Sequence, residues 1–219
     1  VLILRLSALG DVIHTIPAVI SLTQAFPRTR FSWVVEAPYR ELVEIVAGVE
    51  GIPVRMKKWG RNVRASRGEI SDALRAMRGS TVAIDFQGLV KSAALGWLSR
   101  APRRIGFDRR SIREKVALLF TNERVPVDPS RHVVEQNLQL AAGAGASAEH
   151  PGADWERFAL DPERKLAEYR DAIIILPGAG KPEKIWPVER FREVAARLGD
   201  RAVVAWGPGE REMAEAIGG

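Results

Sequence analysis

The 219-residue chain contains no cysteine, and this absence removes several classes of chemistry. Without thiols it has no disulfide framework, no cysteine nucleophile, no zinc ribbon and no iron–sulfur cluster. Its three histidines lack the spacing to carboxylates that metal sites use, so the sequence predicts no metal site. It also lacks an apolar run near the ~20 residues that cross a bilayer, and its opening apolar run is too short for a signal peptide.

Basic residues outnumber acidic ones, with 33 Lys and Arg against 27 Asp and Glu. Two segments concentrate this excess. Residues 55–67 contain six basic residues and no acid, and residues 100–115 contain seven basic residues and two acids. The charge predicts an anionic partner, but nucleic acid, membrane phosphates, a phosphorylated small molecule and a merely solvated surface all remain open.

Short β-branched runs alternate with segments of helical periodicity along the whole chain. Strands are predicted at residues 1–6, 31–36, 52–56, 81–86, 172–176 and 202–206. Helices are predicted at residues 11–25, 66–77, 89–98, 131–142 and 188–198. Near-continuous apolar strands separated by helices predict an α/β fold, with doubly wound parallel sheets covered on both faces.

A change of composition divides the chain into two predicted domains. Small and turn-forming residues dominate residues 141–152 and predict a linker, which places the first domain at residues 1–150 and the second at residues 151–219. The second domain shows only two clear strands, fewer than a stable α/β domain needs. We therefore expect it to be incomplete in this sequence.

Ligands of open α/β sheets bind at the carboxyl ends of the strands, and this rule selects the loop after the first strand. That loop contains Ser7, Gly10 and Asp11, and its single glycine disfavours a nicotinamide dinucleotide fingerprint. Gly10 is expected to permit a tight turn. Asp11 is interpreted as the N-cap of the following helix, as a general base, or as both, and His14 is either a second candidate base or a packed side chain.

The loop after residues 81–86 is the second candidate. It contains Gln87 and Gly88, where glycine permits a close backbone approach. Lys91 follows in the first turn of a helix, where a cation opposes the macrodipole. This conflict indicates an anion nearby, and an ordinary surface lysine is the alternative.

Two loops of the second domain have features of anion sites. Residues 177–187 (PGAGKPEKIWP) place two glycines and two lysines before a helix expected to start at Pro187 as its first residue. The spacing does not match a P-loop. Glu210, in the WGPGE segment after the last strand, either binds a ribose or is stabilised by a helix dipole.

Five motifs together resemble glycosyltransferase family 9, the lipopolysaccharide heptosyltransferases. They are RLSALGDVIHTIPA at residues 5–18, DFQGLVKSAA at 85–94, RHVVEQN at 131–137, KIWP at 184–187 and WGPGE at 206–210. The resemblance implies a GT-B arrangement, in which a Rossmann-like acceptor domain and a Rossmann-like nucleotide-sugar domain flank a cleft. It implies inverting, metal-independent transfer of L-glycero-D-manno-heptose from ADP-heptose, which is a co-substrate and not a cofactor.

Residues 33–36 and the basic segment around Trp59 most resemble the members that act on the Kdo region of Kdo2–lipid A in the lipopolysaccharide inner core. A member that uses a heptosylated or other acceptor is the alternative. A basic nucleic-acid-binding α/β protein is the more distant one.

The resemblance assigns the role of catalytic base to Asp11. It places Lys184 near the donor diphosphate and Glu210 near the nucleoside. Other members carry threonines where Ala179 and Gly180 stand, so the backbone N–H groups of Gly178, Ala179 and Gly180 are expected to serve the donor here. The residues expected to contact the acceptor are Ser7, Gly10, His14, Arg55, Lys57, Lys58, Arg61, Arg64, Gln87 and Lys91.

An acceptor with carboxylates and phosphates implies a location and a set of partners. We expect a cytoplasmic enzyme, peripheral on the inner face of the inner membrane of a Gram-negative bacterium. Its partners would be ADP-heptose, Kdo2–lipid A and the anionic membrane surface, and not nucleic acid. The base assignment requires Asp11 to face the cleft without permanent pairing to a guanidinium.

Overall fold

A computed structural model describes residues 1–152, 169–179, 182–207 and 209–218 of the chain. The chain forms two compact units, Val1–Leu160 and Asp161–Gly219, and each is described by itself.

The first unit contains a parallel six-stranded sheet with strand order β3-β2-β1-β4-β5-β6. The strands are β1 (Leu2–Leu4), β2 (Phe31–Glu36), β3 (Val49–Val54), β4 (Val82–Asp85), β5 (Arg103–Phe107) and β6 (Glu123–Val125). The reversal of order between β1 and β4 makes this edge a topological switch point, where ligands of such sheets bind.

Helices and 3₁₀ turns connect these strands. They are α1 (Leu9–Ile13), α2 (Ile16–Ala25), a turn at Ala37–Tyr39, α3 (Arg40–Glu44), α4 (Met56–Arg61), α5 (Arg67–Met77), α6 (Val90–Leu98), a turn at Lys115–Leu119 and α7 (Val133–Gly143).

Two apolar clusters cover the two faces of this sheet. One joins Ile3 and Trp33 to residues of α2 and α7. The other joins Leu2 and Leu4 to residues of α5 and α6. Successive side chains of a strand point to opposite faces, so a strand buried on both faces is apolar throughout, as predicted for a parallel sheet.

The second unit contains a two-stranded parallel sheet in its described part, formed by β7 (Ile173–Ile175) and β8 (Ala202–Val204). Its helices are α8 (Val188–Leu198) and α9 (Arg211–Gly218), with 3₁₀ turns at Pro182–Lys184 and Gly199–Arg201. No helix in the described residues is both long enough and apolar enough to cross a membrane.

The helix predicted at residues 11–25 is two helices, because α1 ends at Ile13 and α2 begins at Ile16. Pro17 lies in the first turn of α2, where its missing N–H costs nothing, but the same residue cannot continue a helix from the preceding turn. The Thr15 hydroxyl donates to the carbonyl of Asp11 over 2.8 Å at this junction. The N-cap of α1 is Ala8, so the N-cap interpretation of Asp11 is wrong.

Strands β5 and β6 are not among the predicted elements, and the reason is their charge. Both are short and begin with charged residues, so the segment resembles a basic loop. In the sheet, Arg103 of β5 and Glu123 of β6 form an ion pair across the strands at 2.7 Å, while Ile105 and Phe107 enter the core. The short helices α3, α4 and α9 were likewise not predicted.

Candidate active site

The loops after β1 and β4 are joined at the carboxyl edge of the sheet. The backbone N–H of Phe86 donates to Leu4 over 3.0 Å, and that of Leu6 donates to the side-chain oxygen of Gln87 over 2.9 Å. Gln87 is buried, and its amide oxygen therefore holds the first loop in place. The two sequence motifs predicted to lie together are adjacent here.

Asp11 lies in the first turn of α1 and forms an ion pair with Arg5. The Arg5 side chain is 1% exposed, and its Nη2 lies 2.9 Å from Asp11 Oδ1, while the Asp11 side chain is 29% exposed. Arg5 Nη1 also donates to the carbonyl oxygen of Phe86. A buried guanidinium needs such partners because desolvation of an isolated charge costs several kcal/mol.

A second guanidinium approaches the same carboxylate from the loop after β5. Arg113 Nη1 lies 3.6 Å from Asp11 Oδ2, and about half of the Arg113 side chain is exposed. Glu114, the residue after Arg113, holds the loop after β5 against the loop after β4. Its N–H donates to the Gly88 carbonyl over 3.0 Å, and its carboxylate accepts from the Val90 N–H over 2.7 Å.

Asp11 therefore does not meet the requirement of an unpaired carboxylate. Oδ1 is fixed by Arg5, whereas Oδ2 lies beyond hydrogen-bond distance of Arg113 on a partly exposed side chain. Neither arginine is among the site residues predicted from the sequence. The available signal for Arg5 was that it is the single charged residue in the otherwise apolar run at residues 1–6, because a buried charge needs a counter-charge.

Asp85 is fully buried behind this pair. Its Oδ1 accepts hydrogen bonds from the N–H groups of Gln87 and Gly88 at 2.9 and 3.2 Å. Burial raises the pKa of Asp85 from 3.8 to about 6, against the opposing effects of the Ser92 hydroxyl, these two N–H groups and the charge of Arg5. The carboxyl is mainly ionised at pH 7 and mainly protonated at pH 5.

Gly88 is required at its position in this loop. It has a φ of +65°, and a Cβ built there would lie 3.3 Å from the Phe107 ring. Both the left-handed backbone and the close approach of the next loop favour glycine.

Gly10 differs from the prediction, which expected a tight turn. It lies in α1 without a positive φ, and a Cβ added there would meet no atom within 4 Å. The space above α1 next to Asp11 is therefore open. Ser7 precedes this helix and is partly buried.

His14 lies at the C-cap of α1 and packs against α7. Its ring is 5.4 Å from that of His132, in an edge-to-face arrangement. The Asn137 amide donates to the His14 carbonyl over 3.0 Å and to the Thr15 hydroxyl over 3.2 Å. His132 is the N-cap of α7, and its Nδ1 accepts from Val134. These contacts fix the break between α1 and α2.

The basic segment after β3 forms α4 and an exposed turn. Its predicted acceptor-binding residues are Arg55, Lys57, Lys58, Arg61 and Arg64, and all five are exposed. The buried Trp59 anchors α4. Lys91 is also exposed, in the first turn of α6 as predicted.

Lys58 differs from its neighbours because α5 supplies an acid to it. Its Nζ lies 2.5 Å from Glu69, and the other carboxylate oxygen of Glu69 accepts from the Trp59 indole over 3.2 Å. The hydrogen bond from Lys58 is the main cause that lowers the pKa of Glu69. A cavity of about 520 Å³ lies beside this pair, lined by Glu36, Ala37, Pro38, Arg55, Lys57 and Lys58.

The second unit places Gly178 against Glu210 at the carboxyl edge of β7 and β8. A Cβ built on Gly178 would overlap the Glu210 carboxylate, so a larger residue there would displace that side chain from its present position. Glu210 Oε2 accepts from the Gly207 N–H over 2.9 Å. Glu210 therefore stabilises the turn before α9.

The remaining predicted donor residues lie in the loop after β7. Ala179 is partly buried, and Lys184 is exposed at the end of the Pro182–Lys184 turn. Pro187 is the N-cap of α8 and not its first residue as predicted. Gly180 lies outside the described residues. In the described parts of the chain, no group of three or more His, Asp or Glu side chains is placed to hold a metal ion.

Comparison with known proteins establishes the family. Residues 70–218 match the model of glycosyltransferase family 9 (heptosyltransferase). The chain belongs to glycosyltransferase family 9. Lipopolysaccharide heptosyltransferase 1 of Escherichia coli K12 is 33% identical, with 99% of this chain and 71% of the relative covered. Its namesake from Pseudomonas aeruginosa PAO1 is 36% identical over 98% of this chain and 63% of the relative.

Solved structures agree with this assignment. E. coli heptosyltransferase WaaC with ADP superposes with a TM-score of 0.86 at 30% identity, over 99% of this chain and 71% of that structure. E. coli heptosyltransferase II superposes with a TM-score of 0.71 at 20% identity over 99% of this chain and 67% of that structure, a likeness of fold alone. The predicted α/β fold of GT-B type is confirmed, and the protein is a heptosyltransferase whose chain here matches part of the GT-B fold.

Proposed function

We propose that this heptosyltransferase transfers L-glycero-D-manno-heptose from ADP-heptose to the Kdo region of Kdo2–lipid A, the reaction expected of heptosyltransferase I. Its relatives at 33% and 36% identity carry that name. A similar solved structure, at 29% identity, is WaaC with ADP-2-deoxy-2-fluoro heptose. The motif at residues 33–36 supports the same acceptor.

The observation that carries the proposal is the oriented carboxylate of Asp11. Arg5 holds Oδ1 at 2.9 Å, and Oδ2 lies on a partly exposed side chain. In the proposed step the acceptor hydroxyl attacks the anomeric carbon of the heptose and its proton passes to Oδ2. The bond from that carbon to the phosphate oxygen breaks, and ADP leaves with the electron pair. A positioned base typically contributes ~10²–10⁴ in rate.

The condition that Asp11 be unpaired is not met, and we therefore revise it: pairing of Oδ1 with Arg5 leaves Oδ2 to accept the proton. An acceptor hydroxyl has a pKa far above neutrality, so the base takes the proton as the carbon–oxygen bond forms, and both its position and its basicity affect the rate. Arg5 fixes the direction of the carboxylate. The open space above Gly10 gives the acceptor a route to Oδ2.

The loops after β7 and β8 form the proposed donor site. ADP departs with negative charge growing on its β-phosphate, which Lys184 and the backbone N–H groups of Gly178, Ala179 and Gly180 would stabilise. Glu210 would contact the nucleoside. It is held beside Gly178 in the turn before α9. The reaction needs no metal in this scheme.

The proposed acceptor site is the exposed basic segment after β3 together with the loops after β1 and β4. Arg55, Lys57, Arg61 and Arg64 would bind the carboxylates and phosphates of the acceptor, with Lys58 shared with Glu69. Ser7, Gly10, His14 and Lys91 would line the approach to Asp11, and Gln87 would act by holding the loop. Half-exposed Arg113 joins this group because of its distance to Asp11.

Such an acceptor places the enzyme on the inner face of the inner membrane of a Gram-negative bacterium, in contact with its anionic surface. Nucleic acid is not a proposed partner. If the protein bound DNA or RNA with a steep dependence on salt, the basic segments would instead be a nucleic-acid-binding surface.

The test uses the full-length enzyme with ADP-heptose and two purified acceptors, Kdo2–lipid A and its heptosylated form, with ADP release as the readout. We expect turnover with Kdo2–lipid A. Turnover only with the heptosylated acceptor would instead identify a heptosyltransferase II or another family 9 enzyme.

The base assignment has its own variant. Asp11→Asn keeps the shape of the side chain, and we expect kcat to fall by at least ~10². The matched control is Asp72→Asn, which removes an exposed carboxylate paired with Arg75 on α5. A wild-type rate for Asp11→Asn would show that Asp11 is not the base.

A further inference from the structure

We propose that Asp85 and Arg5 are positioning residues for the reaction: Arg5 holds the Asp11 carboxylate, and Asp85 balances the charge of Arg5 from the buried side. This inference rests on the proposed function of Asp11 as the base. It concerns two residues that do not touch the substrate themselves.

The strand order brings the three residues together. Arg5 follows β1, and Asp85 ends the adjacent strand β4, where it is paired in register with Leu4. Arg5 Nη1 donates to the carbonyl of Phe86, the residue after Asp85. The guanidinium is thus anchored on the β4 side and contacts Asp11 on the other.

The burial of both charged side chains indicates that they have a functional role and are not kept for stability alone. Arg5 is 1% and Asp85 is 3% exposed, and Arg5 Nε and Asp85 Oδ2 are buried without a hydrogen bond. A buried ionised group without full hydrogen bonding destabilises a fold, and an apolar pair of similar volume would often be more stable. Strained or costly arrangements of this kind concentrate at functional sites.

The charged groups that act on this pair are few. Asp11, Arg113 and Asp85 act on Arg5, with Asp11 the strongest. Arg5 is the charge that acts on Asp85, and the other groups that affect it are the Ser92 hydroxyl and the N–H groups of Gln87 and Gly88. Ionised Asp85 acts on Arg5 as a second acid, more weakly than Asp11 does. When Asp85 is protonated, Arg5 acts on Asp11 alone and proton transfer to Asp11 becomes less favourable.

This coupling predicts a specific pH dependence. The pKa of Asp85 is raised to about 6 by burial, so kcat of the wild-type enzyme should fall as pH decreases through this value. Asp85→Asn keeps an oxygen to accept from Gln87 and Gly88 but carries no charge. We expect this variant to lack the inflection near pH 6 and to have at pH 8 the reduced kcat that the wild type shows at pH 5.

The experiment measures kcat and both KM values of the full-length enzyme from pH 5 to pH 9, with ADP-heptose and Kdo2–lipid A. Asp85→Asn should lower kcat at pH 8 by about tenfold, the usual scale of one neighbouring charge on a proton equilibrium. Arg5→Lys keeps the charge but loses the fork that reaches Phe86 and Asp11 together. We expect its kcat to fall by up to ~10², as for a misplaced catalytic group.

Both variants should leave the KM values within about twofold, because a positioning defect acts on the transition state and not on binding. Asp72→Asn again serves as the control and should keep the wild-type profile. An unchanged kcat and an unchanged inflection in Asp85→Asn would overturn the proposal. So would a loss that is confined to KM.

The two proposals fail in different ways. If Asp11→Asn is inactive while Asp85→Asn and Arg5→Lys behave as wild type, the base assignment stands and this inference alone is wrong. If Asp11→Asn is fully active, the assignment of the base is wrong, and the inference that depends on it is overturned too.

Discussion

The edge around Asp11 and the basic segment after β3 contain the same kinds of charged residue in opposite surroundings. Arg5 and Asp85 are buried, so their charges require partners at fixed positions. Arg55, Lys57, Arg61 and Arg64 are exposed, so water solvates them and their positions are free to adapt. The first region is suited to orient one atom, and the second to attract a large polyanion.

The largest expected effect tests whether the buried pairing is obligatory. Arg5→Leu removes the ion-pair partner of Asp11 and the side-chain donor to the Phe86 carbonyl. Breaking a buried pair in this way typically costs about 3–5 kcal/mol, which urea denaturation at pH 7 would measure. Arg103→Leu, at an exposed ion pair with Glu123, should cost no more than about 1 kcal/mol. If Arg5→Leu and Arg103→Leu lowered the free energy of unfolding equally, the buried and exposed ion pairs would not differ in their contribution to stability.

The next largest effect is the pH dependence of stability in Asp85→Asn, which separates the contribution of Asp85 to stability from its proposed role in the reaction. Its native pKa of about 6 lies above its ordinary value of 3.8, so between these values the native state binds more protons than the unfolded state. The contribution of Asp85 to stability is therefore lost as pH rises from about 4 to about 6. Removing its charge should stabilise the fold above that window.

Asp85→Asn should match the wild type in stability at pH 4 and exceed it at pH 7 by up to about 3 kcal/mol, since one pKa unit corresponds to ~1.4 kcal/mol. Urea titrations at the two pH values would measure the difference. A variant that is less stable than the wild type at pH 7 would show that the charge of Asp85 supports the fold, contrary to its burial.

A smaller effect is expected from the exposed region. Lys57→Glu should raise the acceptor KM by about tenfold or less, the scale of a surface charge–charge contact, and leave the KM of ADP-heptose unchanged. Lys58→Glu additionally places a second acid beside Glu69. Steady-state kinetics with each substrate varied would test both, and an unchanged acceptor KM in both variants would remove these lysines from the acceptor site.

The smallest effect concerns Gly10, which has room for a side chain. Gly10→Ala should stabilise the enzyme by up to about 1 kcal/mol, because alanine favours a helix over glycine. It should also raise the acceptor KM if the acceptor occupies the open space. Melting temperature and acceptor KM are the two measurements, and a more stable enzyme with unaltered kinetics would move the acceptor away from α1.

Local structure follows the sequence most closely where a short pattern determines it. The strand at Phe31–Glu36 and the helix at Val188–Leu198 have the predicted bounds, because apolar strands and helical periodicity leave few alternatives. The prediction was least successful at β5, because its two leading arginines are typical of an exposed loop although the strand enters the core. The prediction of a tight turn at Gly10 was also wrong. A glycine in a loop motif permits unusual backbone angles but does not require them, and here Gly10 lies in α1.

The sequence by itself determined the parallel α/β class, the loops that carry chemistry and the membership of a family, because these depend on periodicity and on short motifs. Only the tertiary structure decided that Arg5 faces Asp11, that Arg113 approaches the same carboxylate and that Asp85 is buried behind them. A buried charge needs a partner. Which residue becomes that partner depends on the strand order, because it brings residues distant in sequence to one edge of the sheet.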